Sequence, residues 1–227
     1  MFGHDPGAKR FPPLKQINTG NIDRLQRAWT FHTGKPGSEG IPIVVNGVMY
    51  VTAANGVFAV VPETGKQIWH YEADRVALRG LAYWPGTKNV KPRVYVGVKG
   101  GMAAIDVTTG KAAPGFANEG LLDLTKGVAD GVENARLSLS SPPLVYKNLV
   151  ITGSANGEGS PSAGAYGDIR AWDAITGKLV WTFHTVPRPG EPGNDTWPED
   201  GWKNRSGVNA WGFLTVDMER GILFVPL

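Results

Sequence analysis

Residues 167–185 read GDIRAWDAITGKLVWTFHT: a short apolar strand, an acidic turn closing in Thr-Gly-Lys, then a second strand carrying a tryptophan. The same plan returns twice upstream. NGVFAVVPETGKQIWHYEA (55–73) turns at residues 63–66 and carries Trp69, and GGMAAIDVTTGKAAPGFA (100–117) turns at residues 106–111 without a tryptophan. The tail LQRAWTFHTG (25–34) repeats the end of the plan around Trp29, and WGFLTVDMERGILFVPL (211–227) begins it once more. A unit that recurs in this way is the signature of a repeat architecture.

Each unit reads as a small antiparallel sheet. In PIVVNGVMYVTAA (42–54) two strands flank Asn46-Gly47, a dipeptide suited to the positive φ angles of a tight hairpin. The acidic residue before Thr-Gly caps the turn with its carboxylate, and glycine takes the left-handed position. The tryptophan offers a large apolar face to a neighbouring sheet, which makes Trp69 and Trp181 structural residues. Sheets repeated about an axis form a β-propeller. The expected architecture is all-β, with four-stranded antiparallel blades at about residues 41–73, 92–117 and 140–185 and the start of another at 209–227. The spacing from Gly65 to Gly110 to Gly177 is uneven, 45 residues and then 67, so insertions are expected in the later loops.

Bulk properties agree with such a fold and exclude others. In 227 residues there are 31 glycines and 17 prolines, which implies many tight turns, and 41% hydrophobic residues, which implies a sizeable core. The net charge of +3 is dispersed without Lys/Arg runs, which speaks against a nucleic-acid partner. With no cysteine there is no disulfide, thiolate metal site or cysteine nucleophile. No apolar run approaches membrane-spanning length, and MFGHDPGAKRF at the start lacks the apolar core of a signal peptide. The four histidines show no metal-ligand spacing, and those after the strand tryptophans are expected to pack.

The acidic-x-x-Thr-Gly-Lys-x-x-Trp turn resembles the tryptophan-docking motif of dehydrogenases dependent on pyrroloquinoline quinone (PQQ), although scaffold propellers of the bacterial outer-membrane assembly machinery carry similar repeats. Four further segments resemble the dehydrogenases: the opening GHDPGAKRFPPLKQINTGNIDRLQRAWTFHTG (3–34), RGLAYWPG (79–86), SSPPLVYKNLVITGSANGEG (140–159) and TWPEDGWKNRSGVNAWGF (196–213). The resemblance runs nearly the full length and is nearest to the sugar-oxidising branch. The adjacent cysteines of many alcohol-oxidising members are replaced here by DRVALRG (74–80).

What the resemblance implies is specific. PQQ is a flat ortho-quinone bearing three carboxylates, and the planar fork of Arg79 suits its anionic edge. Trp211 is the implied floor for the ring, beside Asn209. Ser140, Ser154 and Asn156 are further implied contacts, and Glu158 the implied ligand of a calcium ion, a hard cation suited to oxygen donors. A surface arginine, a core tryptophan and a solvated loop glutamate are the alternatives at Arg79, Trp211 and Glu158. The family's general base is an aspartate of a later blade, so no catalytic residue is expected before Leu227 and the chain reads as an N-terminal fragment, inactive alone. The implied activity is oxidation of a sugar or alcohol hydroxyl in the periplasm, possible inner-membrane association included, with electrons passing to a quinone or cytochrome. The rival reading is a non-enzymatic interaction scaffold. Bare blade edges are expected to favour self-association.

Overall fold

The computed structural model describes residues 13–35, 39–157 and 164–227. Among these residues, apart from two single-turn 3₁₀ helices, the regular structure is all strand. The first sheet contains β1 (Ile43–Val45), β2 (Val48–Ala53), β3 (Gly56–Val60) and β4 (Gln67–Glu72). The second contains β5 (Ala82–Trp84), β6 (Arg93–Val98), β7 (Gly101–Asp106) and β8 (Leu121–Asp123). The third contains β9 (Leu144–Tyr146), β10 (Leu149–Thr152), β11 (Ile169–Asp173) and β12 (Leu179–Phe183). β13 (Thr215–Asp217) and β14 (Ile222–Phe224) pair as a two-stranded sheet. Every pairing is antiparallel between sequence neighbours, so each sheet is a meander.

Local chemistry sets the turns. Val45 pairs with Val48 across Asn46 and Gly47, whose φ angles of 51° and 74° are those of the hairpin anticipated for that dipeptide. Asp106 accepts bonds from the Thr108 N–H (2.7 Å) and hydroxyl (2.6 Å), and Asp173 likewise from the Thr176 N–H and hydroxyl (both 2.7 Å). The first turn departs from expectation. Val61 stands where those aspartates stand, and backbone bonds from Thr64 and Gly65 to the Val61 carbonyl close it, with no cap from Glu63.

The second sheet is wider than residues 92–117. Ala82–Trp84 pairs with β6, and Leu121–Asp123 supplies the outer strand. The segment after this Thr-Gly-Lys turn leaves the sheet through a Pro114-Gly115 loop and rejoins it only after Gly120, which displaces the closing strand.

Successive sheets pack face to face. On β6 and β7, Val94, Val96, Ala103 and Ile105 face the first sheet, where they meet Tyr50, Val57 and Trp69. The alternate residues Tyr95, Met102 and Ala104 face the third sheet, where they meet Val150 and Trp172. Both strands are therefore buried throughout, and each large side chain among them contributes roughly 2–3 kcal/mol by leaving water. A third cluster joins Ile151, Ile169 and Ala171 to Leu214 and Leu223.

The tryptophans join neighbouring units. The indole of Trp69 donates to the Val107 carbonyl (2.9 Å) and covers Gly110 in the turn of the next sheet. Trp29 repeats this on the first sheet, donating to the Pro62 carbonyl (2.9 Å) and covering Gly65. This stacking of four-stranded meanders is β-propeller architecture, present as an open arc of sheets.

Candidate cofactor site

Loops 74–81, 139–143, 153–157 and 206–214 converge where the sheets meet. The first is anchored by bonds from Ala77 N–H to the Gly97 carbonyl and from Lys99 N–H to the Asp74 carbonyl (both 2.8 Å). Val76, Ala77 and Leu81 are buried, half-buried Arg79 lies between them in sequence, and Asp74 and Arg75 ahead of them are exposed. The Arg79 guanidinium lies over the Trp211 ring, 4.9 Å from the centroid, and its Nε is 3.0 Å from a Glu39 carboxylate oxygen. The two residues singled out for a flat anion are thus in contact, though 132 positions apart in sequence.

Trp211 is half exposed, at 50%, on a backbone held from below. The Ser141 hydroxyl donates to its carbonyl (2.7 Å), the Ser154 N–H donates to the Ala210 carbonyl (3.0 Å), and the Asn209 amide donates to the Ser154 carbonyl (2.7 Å). Gly153 and Gly167 let this segment in: a Cβ at either would stand 2.1 Å from the Ala210 carbonyl or 2.4 Å from that of Val208. Ser140, Ser141, Gly153, Ser154 and Trp211 line an open depression. The Ser154 hydroxyl, on a residue only 4% exposed, has no hydrogen-bond partner among the described residues.

Two further expected contacts, Asn156 and Asn209, are buried. Asn156 donates to the Ala165 carbonyl (2.9 Å) while its amide oxygen receives the Gly207 N–H (3.3 Å). In this conformation Asn156 and Asn209 brace the wall through backbone groups. Glu158 lies outside the described residues. Among the described residues no three His, Asp or Glu side chains gather as a metal cluster.

Sequence reasoning missed Glu39, Ser141 and a second polar cluster. Asp168 is buried and receives the Arg188 guanidinium at 3.1 Å, with His184 at 3.9 Å. His184 also meets Glu191 (2.8 Å), so it is engaged in polar contact rather than packing, whereas His70 does stack on Phe58. Burial raises the Asp168 carboxyl above its ordinary range, outweighing Arg188 and His184. Arg170, also buried, donates to the carbonyls of Lys126 (2.9 Å) and Leu124, and burial lowers its guanidinium to about 10.

Comparison with known proteins agrees with the propeller architecture. The family model described as PQQ glucose/ethanol/alcohol dehydrogenase, β-propeller domain, matches residues 1–227. The quinate/shikimate dehydrogenase (quinone) of Acinetobacter baylyi is 31% identical over the whole chain, which covers 32% of that protein. The quinoprotein glucose dehydrogenase of Escherichia coli is 29% identical, again over the whole chain and 31% of its own length. The crystal structure of the quinohemoprotein alcohol dehydrogenase from Comamonas testosteroni superposes with a TM-score of 0.76 at 30% identity, covering 99% of this chain and 34% of that one. The chain spans about a third of the length of these relatives. It belongs to the β-propeller family of PQQ-dependent glucose, ethanol and alcohol dehydrogenases.

Proposed function

We propose that this chain supplies one wall of the PQQ site of a dehydrogenase that oxidises a sugar or alcohol hydroxyl. The observation that carries the reading is the Arg79–Trp211 pair beside a depression lined by Ser140, Ser141 and Ser154, where the Ser154 hydroxyl has no hydrogen-bond partner among the described residues. A flat anion fits such a donor set: an indole face, a planar cation and an unsatisfied hydroxyl. A scaffold requires none of these. Bound there, PQQ would supply the two-electron acceptor for the substrate's hydride.

The roles of this chain's residues follow from their positions. Trp211 offers the ring its indole face, and Arg79 pairs with a carboxylate in place of Glu39. Ser154 and Ser140 donate hydrogen bonds from the depression wall. Asn156 and Asn209 keep the wall rigid through the backbone. Calcium belongs to the same proposal, with Glu158 as this chain's ligand. The substrate class, a quinone or cytochrome acceptor, and a periplasmic setting come with it. Two relatives bear the names alcohol dehydrogenase (quinone) and methanol dehydrogenase [cytochrome c]. Among the described residues no helix is long and apolar enough to cross a membrane.

The test is a titration with PQQ in millimolar calcium, followed by tryptophan fluorescence. Saturable quenching is expected, with affinity weakened about tenfold or more in Arg79→Ala, since a charge-assisted contact is removed. Chelation of calcium, or Glu158→Gln, is expected to weaken binding in the same assay. Equal quenching in wild type and Arg79→Ala would remove Arg79 from the site, and no quenching at all would sink the cofactor reading for this chain.

A further inference from the structure

Val208 adopts φ 47°, the left-handed region that β-branched side chains avoid. It is the one β-branched residue among the described non-glycine residues with positive φ. Its side chain is 40% exposed and joins none of the apolar clusters, so core packing does not hold it there. Gly207 before it is also left-handed, at φ 78°. Two such residues in succession turn the chain sharply. Asn209 and Ala210 then enter the wall at 5% and 3% exposure, and Trp211 emerges beneath Arg79.

The conformation is fixed from both sides. Upstream, Asn156 exchanges hydrogen bonds with Gly207. Downstream, Ser154 holds Asn209 and Ala210, and Ser141 holds Trp211. Gly167 lies directly under the Val208 and Gly207 carbonyls. Strain kept in place by its surroundings gathers where geometry matters for function.

We propose that Val208 is a positioning residue: with the turn held in the left-handed well by its neighbours, the branched side chain narrows the φ and ψ range open to it there and so delivers Trp211 in a single orientation. The proposal rests on the reading of Trp211 as the floor for PQQ. Glycine would relieve the strain, but it would let the turn visit wells of either sign of φ. Asparagine tolerates the left-handed region while still limiting the alternatives.

The experiment compares the wild-type chain with Val208→Gly and Val208→Asn. Three quantities are measured: the thermal midpoint, the line shape of the Trp211 indole N–H resonance without PQQ (assigned with Trp211→Phe), and PQQ affinity by quenching. In Val208→Gly the midpoint is expected to rise, the Trp211 resonance to broaden, and PQQ affinity to fall about tenfold through lost preorganisation. In Val208→Asn the midpoint rises, while line shape and affinity stay near wild type. A Val208→Gly protein with an unchanged Trp211 resonance would overturn the proposal, as would a lowered midpoint, which would mean that the residue is not strained. If the wild-type chain binds no PQQ, the cofactor reading fails, and the indole resonance still decides the role of Val208.

Discussion

Gly110 shows how one missing side chain couples two sheets. At φ 68° in the Thr-Gly-Lys turn it leaves its Cα face bare, and the Trp69 ring lies so close that an added Cβ would stand 2.6 Å from Cγ of the indole. Gly110→Ala therefore combines left-handed strain with displacement of a buried tryptophan. A loss of about 2–4 kcal/mol is expected from urea midpoints, and Gly115→Ala, where nothing lies within 4 Å, serves as the control for strain alone. A loss no larger than the control's would mean that the indole is not docked on the turn. Ser141 makes a smaller contribution of the same kind. Its hydroxyl bond to the Trp211 carbonyl is worth about 1 kcal/mol, and Ser141→Ala should lower the unfolding free energy obtained from urea titration by that amount. Single residues were legible where the chemistry is local: Asn46-Gly47 turns as a hairpin because both residues accept positive φ. Glu63 was not, because a cap depends on register, and the residue in register there is Val61.

The long segment between β12 and β13 is tied down by a polar anchor. Arg188 spans Asp168, at the entrance to β11, and the Tyr166 ring, 3.6 Å from its guanidinium carbon. The Tyr166 hydroxyl receives the Asn204 N–H (2.9 Å), which links the anchor to the stretch leading to Trp211. Because burial raises the folded-state pKa of Asp168, its contribution to stability is fully present below the ordinary carboxylate range and is lost as pH rises through the raised value. Above that value the charged carboxylate depends on Arg188. Arg188→Ala should therefore destabilise by about 3 kcal/mol near neutral pH, with a smaller loss at acid pH where Asp168 is protonated. Urea midpoints of both proteins across that range check this, and a pH-independent difference would show that the pair does not carry the effect. None of this was legible beforehand. A Pro- and Gly-rich loop gives no period to read, and the Asp168–Arg188 contact exists only once β11 and β12 are side by side. Glu39 escaped notice for the same reason, being joined to Arg79 only by the fold.

The arc of sheets was legible because its repeat carries the turn chemistry in each copy, while the faces of each strand were not. β6 and β7 are buried on both sides, so RVYVGV and GMAAID show no polar alternation, and their allegiance to two different interfaces emerges only from packing. The same logic describes the remaining sheet. β13 and β14 form a two-stranded ribbon, marginal on its own, which rests on the third sheet through Leu223 and the contacts of β13 with β9. Its other side carries Ile222 at 49% and Phe224 at 57% exposure. A two-stranded ribbon with exposed apolar side chains is a template for pairing with a second chain. Sedimentation velocity over a range of concentrations is therefore expected to show reversible self-association. Replacing Phe224 with lysine removes roughly 2 kcal/mol of apolar burial at the contact, or about thirtyfold in the association constant. It also places a charge on the edge. A Phe224→Lys chain that associates as strongly as wild type would put the contact elsewhere, on the exposed Leu179, Val180 and Phe183 of β12. A wild-type chain that stays monomeric at every concentration would mean that these edges are too short and twisted to recruit a partner.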